Sequence, residues 1–170
     1  MYRDNREVLH QRAIKMAHKE EELNTEIVTE AISFTLAGET YAIASSFVRE
    51  VFHMKDFTAI PGVPSYIFSL INVRGQILPV VDMKVFFNLP SKGFGEFNKV
   101  IILSSQNMEF GILADVVIGT TLISEEEILQ VPQTITGIAQ KYLRGVTREN
   151  LIFLNGEALL TGEGLLINDK

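Results

Sequence analysis

The hydrophobic and polar residues of this sequence alternate in short runs from about residue 30 onward. Ile32-Ser33-Phe34-Thr35-Leu36 alternates apolar and polar residues, and Tyr41-Ala42-Ile43 resumes the pattern after a turn at Ala37-Gly38-Glu39-Thr40. Alternation with period two predicts strands with one buried face, and two such runs around a turn predict a hairpin. A second hairpin is predicted from Val100-Ile101-Ile102-Leu103 and the run Met108 to Leu113. The pattern therefore indicates a mainly β protein.

The N-terminal segment, 1–28, has a different pattern. It contains five basic and six acidic residues and neither Gly nor Pro. Asp4 and Glu7 have the spacing of a capping box, which is typical of a helix start. Apolar residues then recur at helical steps at Leu9, Ala13, Met16, Leu23 and Ile27. This predicts an amphipathic helix that ends near Asn24-Thr25 and lies either on its own domain or on a partner.

Prolines and glycines divide the stretch between the two hairpins. Pro61-Gly62-Val63-Pro64 indicates a turn, and the run Gln76 to Asp82 predicts a strand whose Pro79 places it at a sheet edge or bulge. Met83 to Leu89 has the length of a short helix. The loop Pro90 to Phe97 is expected to be mobile and to tolerate insertion.

The two halves of the chain resemble each other at matching intervals. Three pairs share one offset along the chain, namely Tyr41 and Phe110, Ile43 and Ile112, and Val48 and Val117. Arg74-Gly75 matches Arg144-Gly145, and Pro61 matches Pro132, at nearly the same offset. Self-similarity at a nearly fixed interval is typical of repeated structural units. We therefore expect two similar small β units packed on each other.

Each unit is expected to have its own buried residues. The first should bury Tyr41, Ile43, Ile77, Val80 and Val81. The second should bury Phe110, Ile112, Val117, Leu151 and Phe153.

Composition narrows the classes of protein that fit. The chain has 170 residues, of which 46% are hydrophobic, no Cys, and a net charge of −6. The absence of Cys excludes disulfides and thiolate chemistry, and the acidic balance argues against binding to a nucleic-acid backbone. The sequence begins without the apolar run of a signal peptide and contains no stretch near the ~20 apolar residues of a membrane span. These features predict a soluble, cytoplasmic protein.

Candidate catalytic groups are few. His10 and His18 lie eight residues apart in the predicted helix, and His53 stands alone. Asp82 and Asp115 each follow an apolar strand and could pair for acid–base chemistry, but a carboxylate at a strand end more often caps or tethers a turn. We expect no catalytic residues, no cofactor and no metal.

The most informative segment has a single arginine between two apolar runs. It reads Ile71-Asn72-Val73-Arg74-Gly75 and then Ile77-Leu78-Pro79-Val80-Val81-Asp82. A buried, unpaired guanidinium is very costly, so an arginine in such surroundings must reach solvent or a carboxylate. Glu50, which follows Val48, is the best candidate partner. We predict an ion pair between Arg74 and Glu50.

This segment also resembles the CheW-like adaptors of bacterial chemotaxis. The resemblance extends upstream to Val48-Arg49-Glu50-Val51 and downstream to Phe110-Gly111-Ile112 and Tyr142-Leu143-Arg144-Gly145-Val146. It covers roughly residues 30 to 161. It implies two packed, pseudo-repeated, five-stranded SH3-like β-barrels with an N-terminal amphipathic helix. The implied organisation is a helical extension at 1–28, the adaptor domain at 29–165 with the loop 90–98 between its halves, and a tail at 166–170.

The function that the resemblance implies is a non-enzymatic scaffold. Such a protein couples the cytoplasmic tip of chemoreceptors, the methyl-accepting chemotaxis proteins, to the regulatory domain of a CheA-type histidine kinase. It would lie in the cytoplasm at membrane-associated receptor arrays, without inserting into the membrane. The implied interface residues are Val48, Glu50, Ser69, Asn72, Arg74 and Gly75. Ser69 stands where the family usually has Gly, Asn155 where an Asp is usual, and Val73 where Leu is usual.

Other functions are left open by the residues. The module could serve another, non-motility chemosensory pathway, or be a CheV-type adaptor, although a fused receiver needs about 100 further residues. From a different class, a small barrel could bind nucleic acid, but residues 30–170 hold ten basic and fifteen acidic residues, a net charge of −5. A small hydrolase would use Asp82 and Asp115.

Overall fold

A computed structural model of the protein describes residues 10–14, 26–90, 99–131 and 138–161. Within these residues the strands are β1 Val28–Leu36, β2 Glu39–Ala44, β3 Val48–His53, β4 Ile67–Val73, β5 Gln76–Val81, β6 Lys99–Ser104, β7 Glu109–Ala114, β8 Val116–Ser124, β9 Ile128–Leu129, β10 Leu143–Thr147 and β11 Ile152–Leu154. The α-helices that have defined bounds are α1 Met83–Phe86, α2 Ile138–Tyr142 and α3 Gly156–Thr161. Single 3₁₀ turns span Ser45–Phe47 and Glu125–Glu127.

The strands form two sheets. The first has six strands in the order β8-β1-β2-β11-β10-β9, and the second has five in the order β3-β6-β7-β5-β4. Neighbours are antiparallel except for β2 with β11 and β5 with β7, which are parallel. The mainly β class predicted from the sequence is confirmed, as are both hairpins, β1–β2 and β6–β7.

Three apolar clusters hold the sheets together. Side chains on one face of each sheet form a large shared cluster that includes Phe34, Tyr41, Phe110 and Ile112. The opposite face of each sheet packs on a smaller cluster of its own, around Phe153 in the six-stranded sheet and around eight buried residues in the five-stranded one. A sheet with a core on both faces explains strands such as β6, which has four consecutive fully buried residues, 100–103. Each sheet therefore curls around its own core while sharing a second one.

The internal repeat is real, and its halves are interlocked. In the five-stranded sheet, Val48, Leu103 and Phe110 form a row of cross-strand neighbours. In the six-stranded sheet, the row is Val117, Phe34 and Tyr41. These rows match at the offset predicted from the sequence, yet each row draws on both halves of the chain. Strands β3 to β5 therefore pair with β6 and β7, while β1 and β2 pair with strands of the second half.

Because strands of the two halves pair with each other, the predicted assignment of buried residues to two separate units is wrong. Tyr41 and Ile43 share the six-stranded sheet with Phe153, whereas Val80 and Val81 share the five-stranded sheet with the residues of β7. Three individual burial predictions also fail. Ile77 is 65% exposed on the outer face of β5, and Val117 and Leu151 are only half-buried.

The two Arg-Gly pairs are not structurally equivalent. Arg74-Gly75 is the two-residue turn between β4 and β5, whereas Arg144-Gly145 lies inside β10, where Arg144 is the extra residue of a bulge. A side chain at Gly145 would collide with the carbonyl oxygen of Leu129 in β9. One glycine therefore permits a turn, and the other permits close approach of two strands.

The candidate carboxylates Asp82 and Asp115 have structural tasks, in agreement with the preferred interpretation of the sequence. Asp82 caps α1 by accepting a hydrogen bond from the backbone N–H of Lys84 at 3.0 Å. Asp115 accepts from the N–H of Ala37 at 3.0 Å and from the Nζ of buried Lys84 at 2.8 Å. The predicted short helix after β5 is thereby tied to the β1–β2 turn.

Several predictions from the sequence concern residues outside the described ranges. Residues 10–14 are helical and exposed, and the rest of the predicted helix up to residue 25 lies outside the described residues. The same holds for residues 91–98 of the predicted mobile loop and for Pro132. In the described part of the chain, no helix has the length and hydrophobicity to cross a bilayer.

Candidate functional site

The Asn-x-Arg-Gly sequence forms a tight hairpin turn. Arg74 and Gly75 both have positive φ, 53° and 84°, and Val73 pairs with Gln76 across the strands. Positive φ at both central residues is the signature of a type I′ turn, whose twist matches that of the flanking strands. The Oδ1 of Asn72 accepts a hydrogen bond from the N–H of Gly75 at 2.9 Å. The motif therefore fixes the backbone that carries Arg74.

Arg74 points into solvent with its side chain 76% exposed. The arginine reaches solvent, as its apolar neighbours in the sequence require, because it occupies the tip of a turn. The predicted ion pair is nevertheless present, with Nη2 of Arg74 lying 3.6 Å from Oε2 of Glu50. An exposed pair of this kind contributes about 0–1 kcal/mol to stability. Most of the guanidinium is left free to bind another group.

A β-bulge in β3 brings Arg49 to the same place. Val48 pairs with Leu103 and Glu50 pairs with Ile102, so Arg49 is an extra residue with no cross-strand partner. Consecutive residues of a regular strand point to opposite faces, and a bulge redirects one of them. Here the Nε of Arg49 lies 4.0 Å from Oε2 of Glu50.

Arg49 also reaches two other strands. Its Nη1 binds the carboxylate of Glu109 at the start of β7 and lies 3.2 Å from Oε1 of Gln76 in β5. The Nε2 of Gln76 donates to Oε2 of Glu109 at 3.0 Å. The hydrogen bond to Glu109, together with the charges of both carboxylates, raises the pKa of the Arg49 guanidinium, so its charge is secure. Arg49, Gln76 and Glu109 close a triangle of contacts, and Glu50 links Arg49 to Arg74. These five residues are here called the polar ring.

The remaining predicted site residues occupy different environments. Asn72 and Gly75 are exposed beside Arg74, and Val48 is half-buried against the shared core cluster. Ser69 is completely buried in β4, one residue beyond a bulge at Phe68. Its Oγ has no hydrogen-bond partner among the described residues. Ser69 therefore presents no side-chain atom to a partner at the surface.

Sequence reasoning missed Arg49, Gln76 and Glu109 as part of the site. The contacts of Arg49 with Gln76 and Glu109 span 27 and 60 residues of sequence. Only the interlocked pairing, which places β7 between β6 and β5, brings them together. The one signal of the bulge is that two polar residues, Arg49 and Glu50, stand together between Val48 and Val51 and interrupt the alternation.

A groove of about 410 Å³ adjoins the polar ring. It shares Gln76 and Glu109 with the ring and runs between β5 and the turn that joins β6 to β7. Ile77 and Pro79 supply its apolar side, and Ser105, Gln106 and Asn107 supply its polar side. Most of the accessible lining is polar, so the groove is suited to hydrogen bonding with a partner.

Within the described ranges, no three His, Cys, Asp or Glu side chains lie close enough to bind a metal ion. The polar ring pairs its two positive charges with two negative ones. Arg74 is the more exposed of the two cations.

The comparisons with known proteins agree on one family. Residues 30–163 match the family CheW, described as a CheW-like domain. The chain is 29% identical to the chemotaxis protein CheW of Treponema pallidum, over 86% of this chain and 85% of that protein. It is 30% identical to the chemotaxis protein CheW of Klebsiella aerogenes, over 83% and 87% respectively.

A solved structure matches the fold as well. The crystal structure of the scaffolding protein TtCheW from Thermoanaerobacter tengcongensis superposes with a TM-score of 0.68 at 28% identity, covering 76% of this chain and 90% of that one. Fold and sequence together define a scaffold of chemotaxis signal transduction. The chain belongs to the CheW-like family, as the resemblance of its Asn-x-Arg-Gly segment indicated.

Proposed function

We propose that this protein couples the cytoplasmic tip of chemoreceptors to the regulatory domain of a CheA-type histidine kinase. It would do so without catalysing a reaction, in the cytoplasm at receptor arrays. A coupling scaffold needs two separate binding surfaces on one stiff body. The shared core cluster between the two sheets supplies the stiffness.

The surface around Arg74 is the proposed receptor contact. Its supporting observation is that Arg74 is held at the tip of a rigid turn, contacts Glu50 at 3.6 Å, and keeps most of its donors exposed. A guanidinium in this state can form bidentate hydrogen bonds to a carboxylate of a helical hairpin. The exposed apolar side chain of Ile77 offers the adjoining hydrophobic contact.

The second surface lies on the six-stranded sheet. Its edge strand β8 exposes Val116, Ile118 and Leu122 at alternate positions, each more than half exposed. An apolar stripe on an edge strand is typical of a protein–protein interface. We assign this stripe to the kinase regulatory domain.

The test measures binding to both partners with matched variants. Arg74→Ala should abolish capture of a receptor-tip fragment and leave capture of the kinase regulatory domain unchanged. Arg74→Lys should rescue receptor binding poorly, because an ammonium lacks the planar fork of donors. The double variant Ile118→Ser, Leu122→Ser should show the reverse selectivity. Denaturant melts of each variant provide the control.

Two results would contradict the proposal. Normal receptor capture by Arg74→Ala would remove the functional assignment of this surface. A loss of receptor binding that follows the loss of folding across all variants would do the same.

A further inference from the structure

The polar ring contains three residues that the proposed receptor contact does not itself need, namely Arg49, Gln76 and Glu109. We infer that Arg49, held by Glu109 and Gln76, is a positioning residue that fixes Glu50 and thereby orients Arg74 toward its partner. This inference rests on the proposed function of the Arg74 surface. The inference extends the Arg74 surface to supporting residues on strands β3, β5 and β7.

The first argument is geometric. Glu50 receives both cations on one oxygen, Oε2, with Arg49 at 4.0 Å and Arg74 at 3.6 Å. Arg49 is anchored on its other side by Glu109 and by Gln76 at 3.2 Å. Because Arg49 is fixed, the Glu50 carboxylate that it contacts samples fewer rotamers. The Arg74 guanidinium, which contacts Glu50, is restricted in turn. Removing Arg49 therefore frees Glu50, and Arg74 loses a fixed partner.

The second argument comes from the repeat. Strand β8 of the six-stranded sheet has the same bulge, with Ile118 as its extra residue at the position equivalent to Arg49. Gly119 and Thr40 stand where Glu50 and Glu109 stand in the other sheet. The bulge and the surrounding strands thus form with uncharged residues. In β8 the bulge includes Gly119 with a positive φ of 146°, whereas neither Arg49 nor Glu50 has a positive φ. A bulge at this position therefore does not by itself require the charges of the polar ring.

The burial of the ring supports a positioning role. Side-chain exposure falls from 76% for Arg74 to 33% for Arg49 and 17% for Glu109. Arg49 and Glu109 are thus less exposed than Arg74, although Arg49 still reaches the surface. Direct contact of a partner with Arg49 and action through Glu50 give different results in the binding test.

The test combines binding with a measurement on the free protein. The variants are Arg49→Gln, Glu109→Gln, Arg74→Ala and the double variant Arg49→Gln, Arg74→Ala. Arg144→Gln is the matched control, because it breaks an ion pair to Glu125 at 2.8 Å with a side chain of similar exposure, 37%. The probes are a soluble coiled-coil fragment of a receptor tip encoded in the same genome, and ¹⁵N relaxation of the Arg74 side-chain Nε.

Arg49→Gln and Glu109→Gln should each weaken receptor binding about fivefold. Arg49→Gln should cause no further loss in the Arg74→Ala background, because it acts through Arg74. Both variants should lower the order of the Arg74 side chain in the free protein, whereas Arg144→Gln should leave it unchanged.

The inference is overturned if Arg49→Gln weakens binding equally with and without Arg74, since Arg49 would then touch the partner itself. It is also overturned if the order of the Arg74 side chain does not change, whatever the receptor fragment does. If that order falls while the wild-type protein binds no receptor fragment, the positioning role is supported and the proposed receptor function fails.

Discussion

Arg74 and Glu50 contact each other although Glu50 lies in one edge strand of the five-stranded sheet and Arg74 lies in the turn that follows the opposite edge strand. Glu50 lies in β3, the first strand in the sheet order, and Arg74 follows β4, the last. A flat sheet of five strands would separate its edges by about 19 Å at a strand spacing of roughly 4.8 Å. A contact of 3.6 Å therefore requires that the sheet be rolled into a barrel.

The left-handed backbone of Arg74 predicts a conflict between stability and binding. A non-glycine residue at φ 53° is strained, and Asn tolerates that conformation better than Arg. Arg74→Asn should leave the free energy of unfolding unchanged or raise it by up to about 1 kcal/mol, after loss of the exposed ion pair. Receptor binding should fall as in Arg74→Ala. Urea melts and fragment capture on one preparation test this, and clear destabilisation by Arg74→Asn would contradict it.

The interlocked halves predict that neither half folds alone. The five-stranded sheet needs β6 and β7 from the second half, and the six-stranded sheet needs β1 and β2 from the first. Fragments 1–90 and 99–170 should each lack a cooperative thermal transition and regain one when mixed in equal amounts. Far-UV circular dichroism during heating is the measurement. A cooperative transition in either fragment by itself would show that the exchange of strands is not required.

We expect that substitution of Ser69 by Ala stabilises the protein and leaves its receptor affinity unchanged. Its hydroxyl is fully buried and has no partner among the described residues, which is costly for a polar group. Ser69→Ala should raise the free energy of unfolding by about 1 kcal/mol. Receptor affinity should not change, because the side chain does not reach the surface. A loss of receptor affinity with unchanged stability would return Ser69 to the interface.

We expect substitutions of Lys84 and Asp115, which form an ion pair, to differ in how much stability they cost. The Lys84 side chain is only 3% exposed and lies 2.8 Å from the carboxylate of Asp115, which is 27% exposed. Asp115→Ala removes one charged partner of a buried ammonium and also the acceptor of the Ala37 N–H, and should cost about 3 kcal/mol of stability. Lys84→Met replaces the ammonium by an apolar group of similar length and should cost much less. Equal losses in urea melts of the two variants would contradict this ordering.

We expect ionisation of Tyr41 to lower the stability of the folded protein at alkaline pH. Burial, with a smaller effect from the charge of Glu39, raises its pKa from 10.0 to about 12. The unfolded chain then releases the phenolic proton at lower pH than the folded protein, so stability falls as the pH rises from 10 through 12. Tyr41→Phe should reduce that slope by up to about 1.4 kcal/mol per pH unit. Denaturant melts at pH 8, 10 and 11 measure it, and an identical slope in both proteins would rule it out.

The sequence was sufficient to predict local structure where pattern and turn chemistry agree. Both hairpins and the contact of Arg74 with Glu50 follow from alternation, from residue preferences and from the family resemblance. The edge or bulge expected at Pro79 is wrong, because β5 lies between β7 and β4, and Pro79 immediately precedes the residues of β5 that pair with β7. Pairing between distant strands is not encoded in local alternation. That is why the local pattern groups Tyr41 with Val80 and not with Phe153.

Surface position is equally hard to infer from apolar runs. Ile77 and Arg74 lie in the same apolar segment as buried Leu78, yet both are exposed. Arg74 occupies a turn, and Ile77 lies on the outer face of β5. The ring residues Arg49 and Glu109 meet only because a bulge and an exchanged strand place them together.

The interlocking of the halves also sets the order in which the protein can form during synthesis. Strand β2 ends at Ala44, but its parallel neighbour β11 ends only at Leu154. At about 5–20 residues per second, the ribosome needs roughly 5–20 s to supply the missing neighbour. The first hairpin therefore leaves the ribosome with apolar faces and open edges that its own half cannot cover. A nascent chain of this topology is a natural client for chaperones that shield strand edges until translation ends.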